Sequence, residues 1–150
     1  MSLMADMAID HFSSGFNCAQ SVLAVFCEKY GLDKDTALKM CSGLGCGVRF
    51  GEICGAVSGS VLVIGLKYGQ DKPENKTAKD DCYAKTIEFI NLFRTNNGAV
   101  VCRDILGFDL SIQEEYDQVL KKNLFNTTCV DMVRSAVTLL EALGYAAEDE

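Results

Sequence analysis

Four cysteines, Cys18, Cys54, Cys102 and Cys129, stand at or next to positions where the sequence predicts a helix to begin. A helix N-terminus presents unpaired N–H groups and about half a positive charge, which favours the thiolate that acts as nucleophile and metal ligand. Redox or metal chemistry is therefore the first expectation. Cys54 opens the hexapeptide Cys54-Gly55-Ala56-Val57-Ser58-Gly59, and Arg49 shortly precedes it. A nearby cation and the first turn of a helix both lower a thiol pKa, so Cys54 is expected to be the most acidic of the four and the attacking nucleophile. Alternatively, all four thiolates could hold an iron–sulfur cluster or a zinc ion, with helix N-termini offsetting their charge. Gly55 and Gly59 share a helix face, a spacing that either lets another backbone approach closely or leaves room for a cofactor.

The remaining candidates are weaker. Cys41 and Cys46 begin a plant-type ferredoxin spacing, but Arg49 stands where the next cysteine is required. No Cys-x-x-Cys occurs, which removes the thioredoxin motif, zinc knuckles and c-type haem attachment. Any metal site must be assembled from distant segments. Cys27, Cys41 and Cys82 read as core or auxiliary thiols, and Cys46, in a glycine-rich stretch near Cys54, as a candidate resolving thiol. His11 is too isolated for a hydrolytic triad and reads as structural. Arg103, beside Cys102, reads as an exposed helix charge with a thiolate partner as the alternative. Gly43-Leu44-Gly45-Cys46-Gly47 follows no strand and lacks the ending of a phosphate-binding loop.

The elements that must position these residues are helical. Apolar residues recur at helical spacing and period-2 alternation barely appears, which predicts an all-α, compact single-domain multi-helix bundle. Asn17 with Gln20 forms a capping box in front of one helix, Asp33 caps another, and Ser111 with Glu114 forms a further box. Cys41 to Gly51 carries too many glycines for a helix and reads as a tight connection. It leads into the apolar run Ile53 to Leu66, expected to be a buried central helix. Tyr68 to Asp81 reads as an exposed loop. Cys82, Tyr83, Thr86, Ile87, Ile90 and Phe93 follow at helical spacing on a helix that Asn96-Asn97-Gly98 ends. The last helix follows Asn126-Thr127-Thr128 and faces inward with Cys129, Met132, Val133, Ala136, Val137 and Leu140.

Phe16-Asn17-Cys18-Ala19-Gln20, Gly51-Glu52-Ile53-Cys54-Gly55-Ala56-Val57-Ser58-Gly59, Gly98 followed by Cys102, and Cys129 together resemble the redox-active family named C_GCAxxG_C_C. The resemblance runs from about Asp10 to Leu143. It implies redox work without naming a substrate, and motif matching puts the family's four cysteines at Cys18, Cys54, Cys102 and Cys129.

Composition narrows the setting. The chain has 150 residues, one domain's worth, and eight cysteines, about 5%, fewer than a disulfide-stapled secreted scaffold carries. Met1-Ser2-Leu3 reads as an expression scar, residues 4–145 as the domain and 146–150 as an acidic tail. The acidic, amphipathic start lacks the features of a signal peptide, so cytoplasmic residence is expected. The net charge of −7 argues against nucleic acid as a partner, and the longest apolar run falls short of a membrane span. A redox partner protein or small oxidant is expected, and the apolar surplus suggests a homodimer. The function these features suggest is electron transfer through a four-cysteine centre, by dithiol exchange or a bound cluster or metal. The alternative is a non-enzymatic helical binding or assembly module with structural cysteines.

Overall fold

The computed structural model describes residues 2–147; Met1 and residues 148–150 of the expected acidic tail lie outside them. Among the described residues eight α-helices follow one another: α1 (Leu3–Ser13), α2 (Cys18–Ala24), α3 (Lys34–Met40), α4 (Gly55–Tyr68), α5 (Lys76–Asn97), α6 (Cys102–Leu106), α7 (Gln113–Lys121) and α8 (Thr128–Ala142). The described residues contain no strand, only an isolated antiparallel bridge between Ile53 and Val101. This is the all-α class that the periodicity predicts. Ser2, in the segment read as a scar, caps α1 by accepting from the Ala5 N–H at 2.9 Å.

The predicted central helix is α4, which packs against α2, α5 and α8. It buries Ala56, Val57, Val63 and Ile64 completely. The Ser60 hydroxyl, also buried, donates to the Ala56 carbonyl at 2.6 Å, so the helix meets its polar requirement internally. The Asn17–Gln20 capping box forms with both hydrogen bonds at 2.8 Å. Asp33 caps α3, and Gly98 at φ 84° closes α5.

Two local expectations are corrected. The loop expected to reach Asp81 ends earlier, because the Asn75 side chain accepts from the Ala78 N–H and starts α5 at Lys76. On α5 the helical spacing holds: Phe93 is fully buried and Cys82 and Ile90 pack against the larger core, joined by the fully buried Phe89, while Tyr83 and Ile87 are 59% and 60% exposed. Ser111 does not cap α7. It bonds the Asp109 carboxylate, and Glu115 rather than Glu114 reaches back, to the Asp109 N–H.

Buried apolar side chains form two clusters. The larger joins α1, α2, α4, α5 and α8 around Phe26, Phe89, Phe93, Val57 and Leu140. The smaller, around Cys102, Leu106, Leu110 and Val119, is contributed by α6 and α7 with the segment that precedes α8 packed against it. The seam between them is where the cysteines meet.

Candidate functional site

Each of the four cysteines sits at the start of a helix. Cys18 is the first residue of α2, Cys54 is the N-cap of α4, Cys102 is the first residue of α6, and Cys129 lies in the first turn of α8. All four line one pocket of about 350 Å³, and Cys46 supplies a fifth thiol to its wall. Cys54 and Cys102 are each only 7% exposed, whereas Cys18, Cys46 and Cys129 are half-buried. The pocket therefore has two deep and three accessible thiols. All eight cysteines are free thiols.

The glycine-rich connection builds one side. Cys46, Gly47, Val48, Arg49 and Gly51 all adopt left-handed φ between 58° and 67°. Such a run is costly for the side-chain-bearing residues and must be held from outside. Arg49 holds it, donating to the Leu110 carbonyl and lying 4.3 Å from the centre of the Tyr116 ring. Gly47 is required sterically, since a Cβ there would sit 2.4 Å from the Glu52 nitrogen and 3.0 Å from the Cys102 Cβ.

The Ile53–Val101 bridge then fixes the deep thiols relative to each other. The Cys54 N–H donates to the Val100 carbonyl at 2.9 Å, and the Cys102 N–H donates to the Glu52 carbonyl at 2.6 Å. Arg103 reinforces this crossing through an ion pair with Glu52 at 2.8 Å and a hydrogen bond to the Gly51 carbonyl. It does not line the pocket, so it serves the loop rather than a thiolate.

Burial overturns the expectation that Cys54 is the most acidic thiol. It pushes Cys54 up to about 11, although the Ala56 and Val57 N–H groups pull the other way. Burial likewise pushes Cys102 up to about 12. Arg49 lowers the pKa of Cys46 instead, and burial still leaves that thiol raised. Cys129 alone among the five is lowered, because a hydrogen bond from the Cys18 thiol outweighs its burial. Cys18 carries the complementary shift: donating to Cys129, with burial added, holds its proton well above the ordinary range.

The two motif glycines differ. A Cβ on Gly59 would lie 2.8 Å from the Ala19 carbonyl oxygen and 2.9 Å from its Cα, so the α2 backbone fills that space. Gly55 also faces α2, at Cys18 and Ala19, but lines the pocket as well. The thiol set suits thiolate ligation chemically, yet among the described residues no three His, Cys, Asp or Glu side chains are placed to share one metal ion. A single zinc ion therefore does not fit the side chains as they stand.

The other candidates lie elsewhere. Cys27 and Cys41 are buried in the larger core, where burial and then Cys27 push Cys41 up to about 11. Cys82 packs at the edge of that core. His11 meets Phe16 edge-on with ring centres 6.0 Å apart and does not line the pocket. Sequence reading did not single out the aromatic wall formed by Phe12, Phe16, Tyr116 and Phe125. Phe16, next to the Asn17 cap, carried a local signal; Tyr116 and Phe125 carried none, because α7 and the turn before α8 bring them there.

No helix among the described residues is long and apolar enough to cross a membrane. No curated protein and no solved structure matches the chain. A family profile matches residues 16–143, a span holding the CGAVSG hexapeptide and all five pocket cysteines. The chain thus belongs to the family described as putative redox-active protein (C_GCAxxG_C_C).

Proposed function

We propose that the chain is a dithiol electron-transfer protein in which Cys129 is the nucleophile and Cys18 the resolving thiol. What supports this is that Cys18 and Cys129 both line the accessible side of one pocket, where hydrogen bonding between the two thiols lowers the pKa of Cys129 and raises that of Cys18. That bonding raises the thiolate fraction of one sulfur and holds the second, still protonated, within reach. The Cys129 thiolate attacks one sulfur of a substrate disulfide, the S–S bond breaks, and the departing thiolate takes a proton. Cys18 loses its proton to solvent and attacks the Cys129 sulfur of the mixed disulfide, releasing the second substrate thiol. Two protein thiols are oxidised to one disulfide, and one substrate disulfide is reduced to two thiols. Cys54 and Cys102, whose protons burial retains, line the deep wall of the pocket behind this pair.

A thiolate-bound iron–sulfur cluster is the second reading. Five thiols around one pocket, more than one dithiol pair needs, favour it. Cys18, Cys54, Cys102 and Cys129 would hold the cluster, which when bound supplies one-electron transfer. Cytoplasmic residence suits either reading, because thiols there are kept reduced. A homodimer would use the exposed Tyr83 and Ile87 stripe of α5. In the assembly-module alternative the same cysteines only pack.

Trapping tests the dithiol reading. With a small disulfide, Cys18→Ser is expected to stop at a stable mixed disulfide on Cys129, whereas the unaltered protein proceeds to Cys18–Cys129. Adducts spread over Cys27, Cys41 and Cys82, with Cys129 unlabelled, would overturn it.

A further inference from the structure

The chemistry of the pocket wall narrows the substrate. Among the described residues no Asp, Glu, Lys, Arg or His lines the pocket. Apart from the thiols its polar side chains are Asn17, Asn126 and the uncharged Tyr116, and both asparagine amides are engaged elsewhere. The Asn17 amide accepts from the Gln20 N–H and donates to the Cys41 and Ser42 carbonyls, while the Asn126 amide donates to the Asn123 side chain. Arg49, the nearest cation in the strained loop, is spent on the Leu110 carbonyl and the Tyr116 ring. An anionic substrate entering here would lose water without gaining a counter-charge and would meet the Cys129 thiolate, while a cationic one would find a counter-charge only in that thiolate, which the attack consumes.

What the wall offers instead is aromatic. Phe12, Phe16, Tyr116 and Phe125 are half-buried around the accessible thiols, with the Tyr116 and Phe125 rings 5.6 Å apart at a tilt of 55°. Ile105, Leu110 and Met132 complete the apolar lining. A volume of about 350 Å³ lies at the small end of the range for small-molecule sites.

We infer that the substrate of this pocket is a small, uncharged aromatic disulfide, taken up between the Phe16 and Phe125 rings so that its S–S bond meets Cys129. This rests on the dithiol reading and names the oxidant for it. The electrons balance as before: Cys18 and Cys129 give up two electrons and end as a disulfide, and the aromatic disulfide ends as two aryl thiols.

Three disulfides separate ring recognition from charge: dithiodipyridine, uncharged and aromatic at neutral pH; dithiobis(nitrobenzoate), aromatic with two carboxylates; and cystamine, with two ammonium groups and no ring. Each rate of modification at Cys129, mapped by mass spectrometry under anaerobic conditions, is divided by that reagent's rate with mercaptoethanol. The expected result is a normalised preference of roughly tenfold or more for dithiodipyridine over both charged reagents. That preference should shrink several-fold in Phe125→Ala and in Phe125→Leu, which keeps an apolar side chain without the ring. A ranking that follows charge, cystamine first and dithiobis(nitrobenzoate) last, would mean that the acidic surface governs access and would overturn the inference while leaving the dithiol reading intact. Failure of all three reagents at Cys129 would remove that reading, and the inference with it.

Discussion

Cys18 and Cys129 line one pocket across the seam between the two apolar clusters, Cys18 packing on the larger and Cys129 on the smaller, and hydrogen bonding between the thiols raises the pKa of Cys18 and lowers that of Cys129. One sulfur is thereby made more acidic at the other's expense. Removing the donor should therefore weaken the nucleophile without touching it. In Cys18→Ala the pH midpoint for alkylation of Cys129 is expected to rise and its rate at neutral pH to fall. Cys18→Ser, which keeps a hydroxyl donor, should restore part of the loss. Iodoacetamide labelling followed by peptide mapping across pH reads both effects.

Cys54 and Cys102 have the opposite titration. Their pKa values in the folded chain, about 11 and about 12, exceed the ordinary 9.0. Below that ordinary value both states carry the proton and the full stabilisation is present. As pH rises above it, the unfolded chain releases protons that the folded chain keeps, so stability falls until the folded pKa is passed. Denaturation midpoints are thus expected to drop between about pH 9 and 12, and Cys102→Ala should flatten that drop relative to the unaltered chain.

Two glycines of α4 make a matched pair. At Gly59 a Cβ would press on the Ala19 backbone, which cannot swing aside, so Gly59→Ala is expected to cost roughly 1–3 kcal/mol. Nothing lies within 4 Å of a Cβ on Gly65, so Gly65→Ala should stabilise by about 0.4–1 kcal/mol. Thermal unfolding of the two variants gives shifts of opposite sign. Because Ala19 follows Cys18 directly, Gly59→Ala should also slow alkylation of Cys129.

Val48 is a β-branched residue held at φ 58°. It is about half exposed, so replacing it sacrifices little packing. Val48→Gly should relieve roughly 1 kcal/mol of strain, raising the unfolding midpoint by about 2–4 °C. A lower midpoint would mean that the loop is held by Val48 contacts rather than against them.

The helices were legible where side-chain periodicity and capping residues agree, as at Asn17 for α2, Asp33 for α3 and the apolar run of α4. For α5 the helix could be read but not its buried face, because a long helix with apolar residues on more than one side is oriented by its neighbours, here α4 and α8. Ser111 misled for a related reason: a short polar side chain chooses among nearby partners, and Asp109 won. At the site, the positions of the thiols at helix starts could be read from sequence, but their acidity could not. Helix termini and Arg49 pointed to Cys54 as the most acidic. Burial reversed that order, and the deciding contact, Cys18 to Cys129, joins residues far apart in the chain. The aromatic wall was likewise invisible, since Tyr116 and Phe125 reach the pocket only through tertiary packing.

The central claim is that Cys18 and Cys129 form the working dithiol. The most direct measurement is anaerobic purification with metal analysis and a thiol count, then one equivalent of a disulfide oxidant and mass-spectrometric mapping of the bond formed. The expected result is metal-free protein with all thiols titratable, converting to a single Cys18–Cys129 disulfide that a dithiol reductant reverses. Stoichiometric iron and sulfide retained by these cysteines would establish the cluster in its place. Thiols that stay unoxidised would reduce the five cysteines to packing.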